Sequence, residues 1–514
     1  MNVHLLFAGR DPAPAPELPP NSADLIQDLG VDTLLEAMAC GDRFLYEVAM
    51  QMLLTSLTDP VEITYRQRIL RDFLARPRVL RELYELSVEA VTGQKKLFWS
   101  MLGYSPSGLL YRSVRAMEFL VDILRRLRHL AEQHTGEVAS EGLTNLFAML
   151  VRELDEPFFA EATEHLKLLR FHGGVPISAT LGTGGGSTNY VLRQPPHRGW
   201  LARLVPPNRR GQLLSVMRGS YTLRIADRDQ AGADALASLR DRGLHLVADA
   251  LSQSTQHVTD FFKALRRELG FYVGCLNLHE QLAGNGQPTC FPTPAADAAA
   301  LSAQGLYDPG LSLRIRGQVV GNDLAADGRP LVVVTGANQG GKSTFLRSVG
   351  LAQLMMQSGM FAPANSYRAR VGTCLFTHYK REEDDTMEHG KLDEELARMS
   401  QIVALLRPGG MMLLNESFAS TNEGEGSQIA HDIVQALLSS GITVCYVTHM
   451  FHLAQWLQHD VADRARFLRA QRRQDGSRTF QLVEGAPLPT SYGTDLYRSI
   501  FGSGGDDRSA AAPG

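Results

Sequence analysis

The sequence predicts an α/β domain C-terminal to a mainly α-helical region, on three observations. At residues 331–344, the apolar run Leu331, Val332, Val333 and Val334 enters a glycine-rich turn and then a helical pattern. Two further apolar runs, 411–414 and 442–447, each end in a polar pair, Asn415-Glu416 and Thr448-His449. Before residue 270, apolar residues recur at helical spacing over long stretches. Short buried strands alternating with helices mark an open α/β sheet, whereas the long stripes mark helix-on-helix packing.

Composition narrows the class. The 514 residues exceed one ordinary domain, and 44% hydrophobic with 21% charged content describes a globular chain with ample core material. A formal net charge of −4 gives no global basic signal, so any nucleic-acid surface must be local. Five cysteines without a C-x-x-C pair point to a reducing compartment and away from zinc or a disulfide framework. The opening Met-Asn-Val-His-Leu-Leu-Phe is too short for a signal peptide, and no run approaches the ~20 apolar residues of a membrane span. A cytoplasmic protein with no membrane association is expected.

In chain order, residues 1–22 are proline-rich and read as a disordered leader. From 23 to 270 the pattern is helical. Leu34, Leu35 and Met38 open it, Asp59-Pro60 marks a helix boundary, and Leu120, Ile123, Leu124 and Leu127 form one stripe. Leu143, Leu146, Phe147, Leu150 and Leu154 form another, and the pattern returns at 236–269. These stripes predict core packing and carry no chemistry of their own. Between them, about 172–228 is a β-prone insertion in which Arg193, Arg198, Arg203, Arg209 and Arg210 accumulate beside Tyr190 and Trp200. Such a stretch could grip a phosphate backbone, or it could be a solvated loop. Residues 271–330 read as a connector with short strands, 331–500 as the α/β domain, and 501–514 as a disordered tail.

The chemistry starts at Gly336-Ala337-Asn338-Gln339-Gly340-Gly341-Lys342-Ser343-Thr344, the G-x-x-x-x-G-K-S pattern of a P-loop NTPase between strand and helix. Glycines let backbone N–H groups turn onto an anion, and the helix N-terminus adds its positive end. Lys342 can reach the outer phosphates, and the Ser343 hydroxyl can ligate a magnesium ion held by them, so ATP and Mg2+ are the expected cofactors. Glu416, at the end of the second strand, is placed to polarise the attacking water. Asn415 stands where an aspartate usually bonds the magnesium shell; an amide oxygen keeps the hydrogen bond and loses the charge, which points to slow hydrolysis. His449, ending the third strand, can sense the γ-phosphate.

Together these residues resemble the MutS family of DNA mismatch-repair ATPases. Thr335–Thr344 is similar to the family's Thr-Gly-Pro-Asn-Met-Gly-Gly-Lys-Ser-Thr, and Gly359-Met-Phe-Ala-Pro-Ala364 to its Gly-x-Tyr/Phe-Val-Pro-Ala. Phe376-Thr-His378, Asn415-Glu416, Ser420-Thr-Asn-Glu-Gly424, Thr448-His449 and Ser491-Tyr-Gly493 follow in the family's order. The resemblance implies an ABC-type ATPase domain behind a helical core and lever, a homodimer with composite nucleotide sites, and association with mismatched, branched or distorted DNA. Three departures stand out besides Asn415. His389–Glu395 has Lys391 and Leu392 near the family's trans-acting Ser/Thr, and Val319 occupies the place of the aromatic that stacks on adenine. No counterpart of the mismatch-reading domain is expected, since Gly41–Glu47 lies inside a helical pattern in which Phe44 and Tyr46 read as core aromatics. A nucleotide-gated protein-interaction switch without a DNA role is the alternative.

Overall fold

A computed structural model describes residues 1–10, 17–99, 105–171, 175–181, 187–192, 230–297, 299–336, 339–381, 390–473 and 478–488. Helix starts follow from short polar side chains that accept from backbone N–H groups left over in the first turn. Asp42 receives Phe44 N at 2.8 Å, Asp59 receives Val61 N at 2.8 Å ahead of Pro60, and Asp155 receives Phe158 N at 2.8 Å. The first eight helices are α1 (Ser22–Leu29), α2 (Val31–Ala39), α3 (Arg43–Leu54), α4 (Pro60–Ala75), α5 (Pro77–Trp99), α6 (Pro106–His134), α7 (Glu141–Glu153) and α8 (Glu156–Leu169). Strands β1 (Ile177–Leu181) and β2 (Ser187–Leu192) pair antiparallel, and α9 (Gln230–Gly284) returns. Then come β3 (Thr293–Ala295), β4 (Leu301–Leu306), α10 (Pro309–Ile315), β5 (Asn322–Ala325) and β6 (Leu331–Thr335). The chain continues through α11 (Lys342–Gln357), β7 (Ser366–Arg370), β8 (Leu375–Tyr379), α12 (Lys391–Leu405), β9 (Met411–Asn415) and α13 (Glu423–Ser439). It closes with β10 (Thr443–Val447), α14 (Phe451–Val461), β11 (Ala465–Arg472) and β12 (Arg478–Glu484).

The chain divides into two units. One comprises Met1–Val3, Glu82–Glu137 and Asn145–Arg266; the other comprises His4–Arg81, Val138–Thr144 and Arg267–Gly514. In the first unit the stripe Leu120, Ile123, Leu124 and Leu127 is fully buried. Gly93 lies so close to the Phe119 ring that an added Cβ would fall 2.3 Å from it.

The second unit is built on a six-stranded sheet of order β12-β11-β6-β10-β9-β8. Five strands are parallel and β12 runs antiparallel at one edge. A four-stranded sheet, β3-β7-β4-β5, takes β7 from between β6 and β8 in sequence. All five residues of β6, β8 and β10 are buried, as expected of parallel strands covered on both faces. The pairs Val447↔Val334 and Val447↔Asn415 bring the C-terminal ends of β6, β10 and β9 level with one another. Helix α11 is fixed at its far end by paired bonds. Leu57 N donates to Gln357 O at 2.8 Å, Gln357 Nε2 donates to Leu57 O at 2.8 Å, and Arg66 donates to Ser358 O at 3.2 Å.

Three expectations are corrected here. The described part of the 1–22 leader is built into the core: Leu5 and Leu6 are fully buried, and their N–H groups donate to Glu268 Oε2 at 2.6 and 2.8 Å. Arg66 Nε donates to Leu6 O at 2.8 Å and Tyr272 Oη to Leu5 O at 2.6 Å, so apolar burial and these buried hydrogen bonds outweigh the proline-rich composition that follows. The 23–270 region is not one body, because residues 4–81 fold with the α/β domain, and the supposed connector begins as helix: α9 runs on to Gly284. Phe44 and Tyr46 do lie on a helix, α3, where they are half-buried and the Tyr46 hydroxyl donates to Asp32 at 2.9 Å. The arginine stretch 193–229 and the tail 489–514 lie outside the described residues.

Candidate nucleotide site

The C-terminal edge of the large sheet gathers the chemistry. The turn after β6 needs a backbone that side chains resist: Gly336 has φ 118° and Gly341 φ 90°, and a Cβ on Gly336 would sit 3.0 Å from Ala470 N of β11. Gln339 also adopts a left-handed φ of 61°, and Arg478 of β12 donates to its side chain at 2.6 Å. Gly340, Ser343 and Thr344 complete the described part of the turn, whereas Ala337 and Asn338 lie outside the described residues.

Lys342 is 5% exposed at the first turn of α11. Its ammonium donates to Gly336 O at 2.8 Å and stands 3.8 Å from Glu416 Oε1. Burial pushes its pKa down and Glu416 pulls it back up. Ser343 Oγ donates to Asn415 Oδ1 at 3.0 Å, so the two groups expected at a magnesium ion are already adjacent. Glu416 also accepts from His449, from its backbone N at 3.1 Å and from its Nδ1. That hydrogen bond raises the His449 pKa, against a smaller opposing effect of burial. Glu416 therefore sits at the strand ends between the Lys342 ammonium, an ion pair at 3.8 Å, and the His449 donors.

The Glu416 loop is itself strained. Glu416 has φ 55° and Phe418 φ 64°, left-handed values that cost a non-glycine residue about 1–2 kcal/mol each. Buried bonds hold it: Tyr446 Oη donates to Ser417 O at 2.7 Å, and Phe418 N donates to Glu395 Oε2 at 2.6 Å. His378, expected only as part of a strand motif, bonds Ser417 Oγ at 2.8 Å and stacks on Phe418.

Beside these groups opens a cavity of about 820 Å³, within the range of small-molecule sites. Lys342, Ser343, Thr344 and Glu416 line it, together with the apolar Leu311, Ile315, Val319 and Phe480. Sequence reasoning missed Phe480. It is 48% exposed, has φ 58°, and its Cα lies 3.8 Å from where a Gly341 Cβ would be. Only the pairing of β12 beside β11 brings it there, and nothing local in Arg478–Glu484 signals it.

The donor set suits a hard cation shared with phosphates: neutral oxygens of Ser343 and Asn415, with Glu416 alongside. Among the described residues no cluster of three or more His, Cys, Asp or Glu side chains could hold a metal by itself. No helix among them is long and apolar enough to cross a membrane.

Residues 58–285 match the family described as the MutS2 N-terminal domain, and residues 332–501 match MutS domain V. MutS protein homolog 4 of Mus musculus is 24% identical over 243 residues, covering 47% of this chain and 25% of its own. The DNA mismatch repair protein MutS of Thermotoga petrophila is 34% identical over 141 residues, 27% of this chain and 18% of its own. The DNA mismatch repair protein MSH3 of Arabidopsis thaliana is 32% identical over 239 residues, 44% of this chain and 21% of its own. The chain thus spans a quarter or less of these relatives' length.

Proposed function

The chain belongs to the MutS family, and we propose that it is an ATP-hydrolysing, DNA-associated clamp that works as a homodimer. The observation that carries this reading is the convergence of Lys342, Ser343, Asn415, Glu416 and His449 at one sheet edge beside a cavity of nucleotide size. ATP seats its phosphates in the 336–344 turn and its base against Val319 and Phe480. Lys342 leaves Gly336 O and Glu416 for the outer phosphates. A magnesium ion, held by Ser343 and Asn415 with the phosphates, would neutralise charge there. Freed of Lys342, Glu416 takes the proton from the attacking water, and His449 keeps that carboxylate aimed. The products are ADP, phosphate and a proton.

The DNA side of the reading is supported by the relatives named as mismatch repair proteins and by the arginine stretch 193–210. In this reading the nucleotide unit drives the helical arm, and mismatched, branched or distorted duplex is the substrate. Asn415 favours a second reading, a slow nucleotide-gated switch that holds a protein partner.

Steady-state hydrolysis with a panel of linear, mismatched and four-way DNA, beside Lys342→Ala and Glu416→Ala, separates the two. Stimulation by one DNA structure, lost in both variants, supports the clamp. Tight ATP binding with no DNA effect removes it in favour of the switch.

A further inference from the structure

We propose that Glu395 is a positioning residue for Glu416, and that helix α12 thereby controls the hydrolytic carboxylate; this rests on Glu416 being the base of the ATPase. The loop after β9 is left-handed at Glu416 and Phe418, so its shape depends on its anchors. Tyr446 and His378, two of these, belong to β10 and β8 and are fixed in the sheet. Glu395 comes from α12, and it spends both carboxylate oxygens on the loop. Oε2 accepts from Phe418 N at 2.6 Å and Oε1 accepts from Ser420 Oγ at 2.6 Å, with the residue 8% exposed.

The backbone of the same residue is tied to the sheet. His378 Nε2 lies 3.1 Å from Glu395 O, an acceptor, and Nδ1 lies 2.8 Å from Ser417 Oγ. Burial drives the His378 pKa down to about 3, so the ring is neutral. The Ser417 hydroxyl donates to His378 O at 2.7 Å, so the loop meets both the backbone and the ring of His378. Helix α12, β8 and the loop thus share one closed set of hydrogen bonds, with Glu416 directly before Ser417. Displacing the first turns of α12 either breaks two short bonds or moves the loop.

The test compares Glu395→Ala, Glu395→Gln and Ser420→Ala in the full chain. It reads ATP kcat and KM, nucleotide Kd, and hydrogen exchange over residues 411–422 without nucleotide. Glutamine can accept from Phe418 N with its oxygen and donate to Ser420 with its amide. Expected are a kcat at least tenfold lower in Glu395→Ala with Kd within twofold, and faster loop exchange. Glu395→Gln should stay within threefold of wild type, and Ser420→Ala should fall two- to fivefold with the fold intact. An unchanged kcat in Glu395→Ala, or an equal loss in Glu395→Gln, overturns the proposal; so does unchanged exchange. If Glu395→Ala does not fold, the Gln and Ser420 variants decide by the same criteria. Wild-type hydrolysis that survives Glu416→Ala removes the base assignment itself, whereas the exchange data still report whether Glu395 holds the loop.

Discussion

Replacing Asn415 by aspartate should tighten magnesium binding and speed hydrolysis. The amide oxygen already accepts from Ser343 Oγ at 3.0 Å, and an aspartate oxygen can take its place with no change of shape. What changes is one unit of charge. A full negative charge about 4.5 Å from a doubly charged cation is worth ~1.8 kcal/mol at the dielectric of water and ~7 kcal/mol at an effective dielectric of 20. Asn415 is only half-buried and Glu416 next to it repels a second carboxylate, so the lower figure governs. About 1.8 kcal/mol corresponds to a roughly twentyfold lower magnesium concentration at half-maximal activity. Magnesium titration of ATP hydrolysis at saturating nucleotide measures it. A shift of less than about twofold would refute the placement of residue 415 at the cation.

Further expectations follow from the same geometry. Lys342→Ala should weaken binding of a fluorescent ATP analogue by about two orders of magnitude, since it removes a charged donor worth about 3 kcal/mol at a phosphate. Phe480→Ala should weaken the same analogue about tenfold if the ring stacks on the base, and inorganic triphosphate not at all. His449 gains its partner Glu416 on folding, which raises its pKa above the ordinary 6.5. The stability of wild type over His449→Ala is therefore full below about 6.5 and lost as pH rises through the raised value; urea midpoints at pH 5.5, 7 and 9 test this. Gly359→Ala should cost about 2–4 kcal/mol in a urea titration, because a side chain at φ 79° is strained and its Cβ would fall 2.5 Å from the Arg66 Cβ.

The nucleotide strands were legible because their signals are local. Leu331–Thr335, Met411–Asn415 and Thr443–Val447 are apolar runs ended by polar groups, and parallel strands buried on both faces leave that trace in any sequence. The union of residues 4–81 with the α/β domain was not legible. Glu268 meets Leu5 across 263 residues, and helical periodicity says only that a face is buried, never against what. Phe480 was hidden for the same reason, because an antiparallel edge strand brought it to the cavity. Glu395 looked like one acid among several in Leu392–Glu395, and only its two loop bonds set it apart. The arginines at 193–210 were read from composition alone, and they lie outside the described residues.

Helix α11 behaves as a beam with both ends fixed. Sixteen residues at 1.5 Å each make it about 24 Å long. One end starts in the phosphate turn; the other is pinned by the two reciprocal Leu57–Gln357 bonds and by buried Arg66. A reporter dye at Val61, which is 74% exposed, is therefore expected to register phosphate occupancy from the opposite end of the rod, and a signal unchanged by nucleotide would refute it.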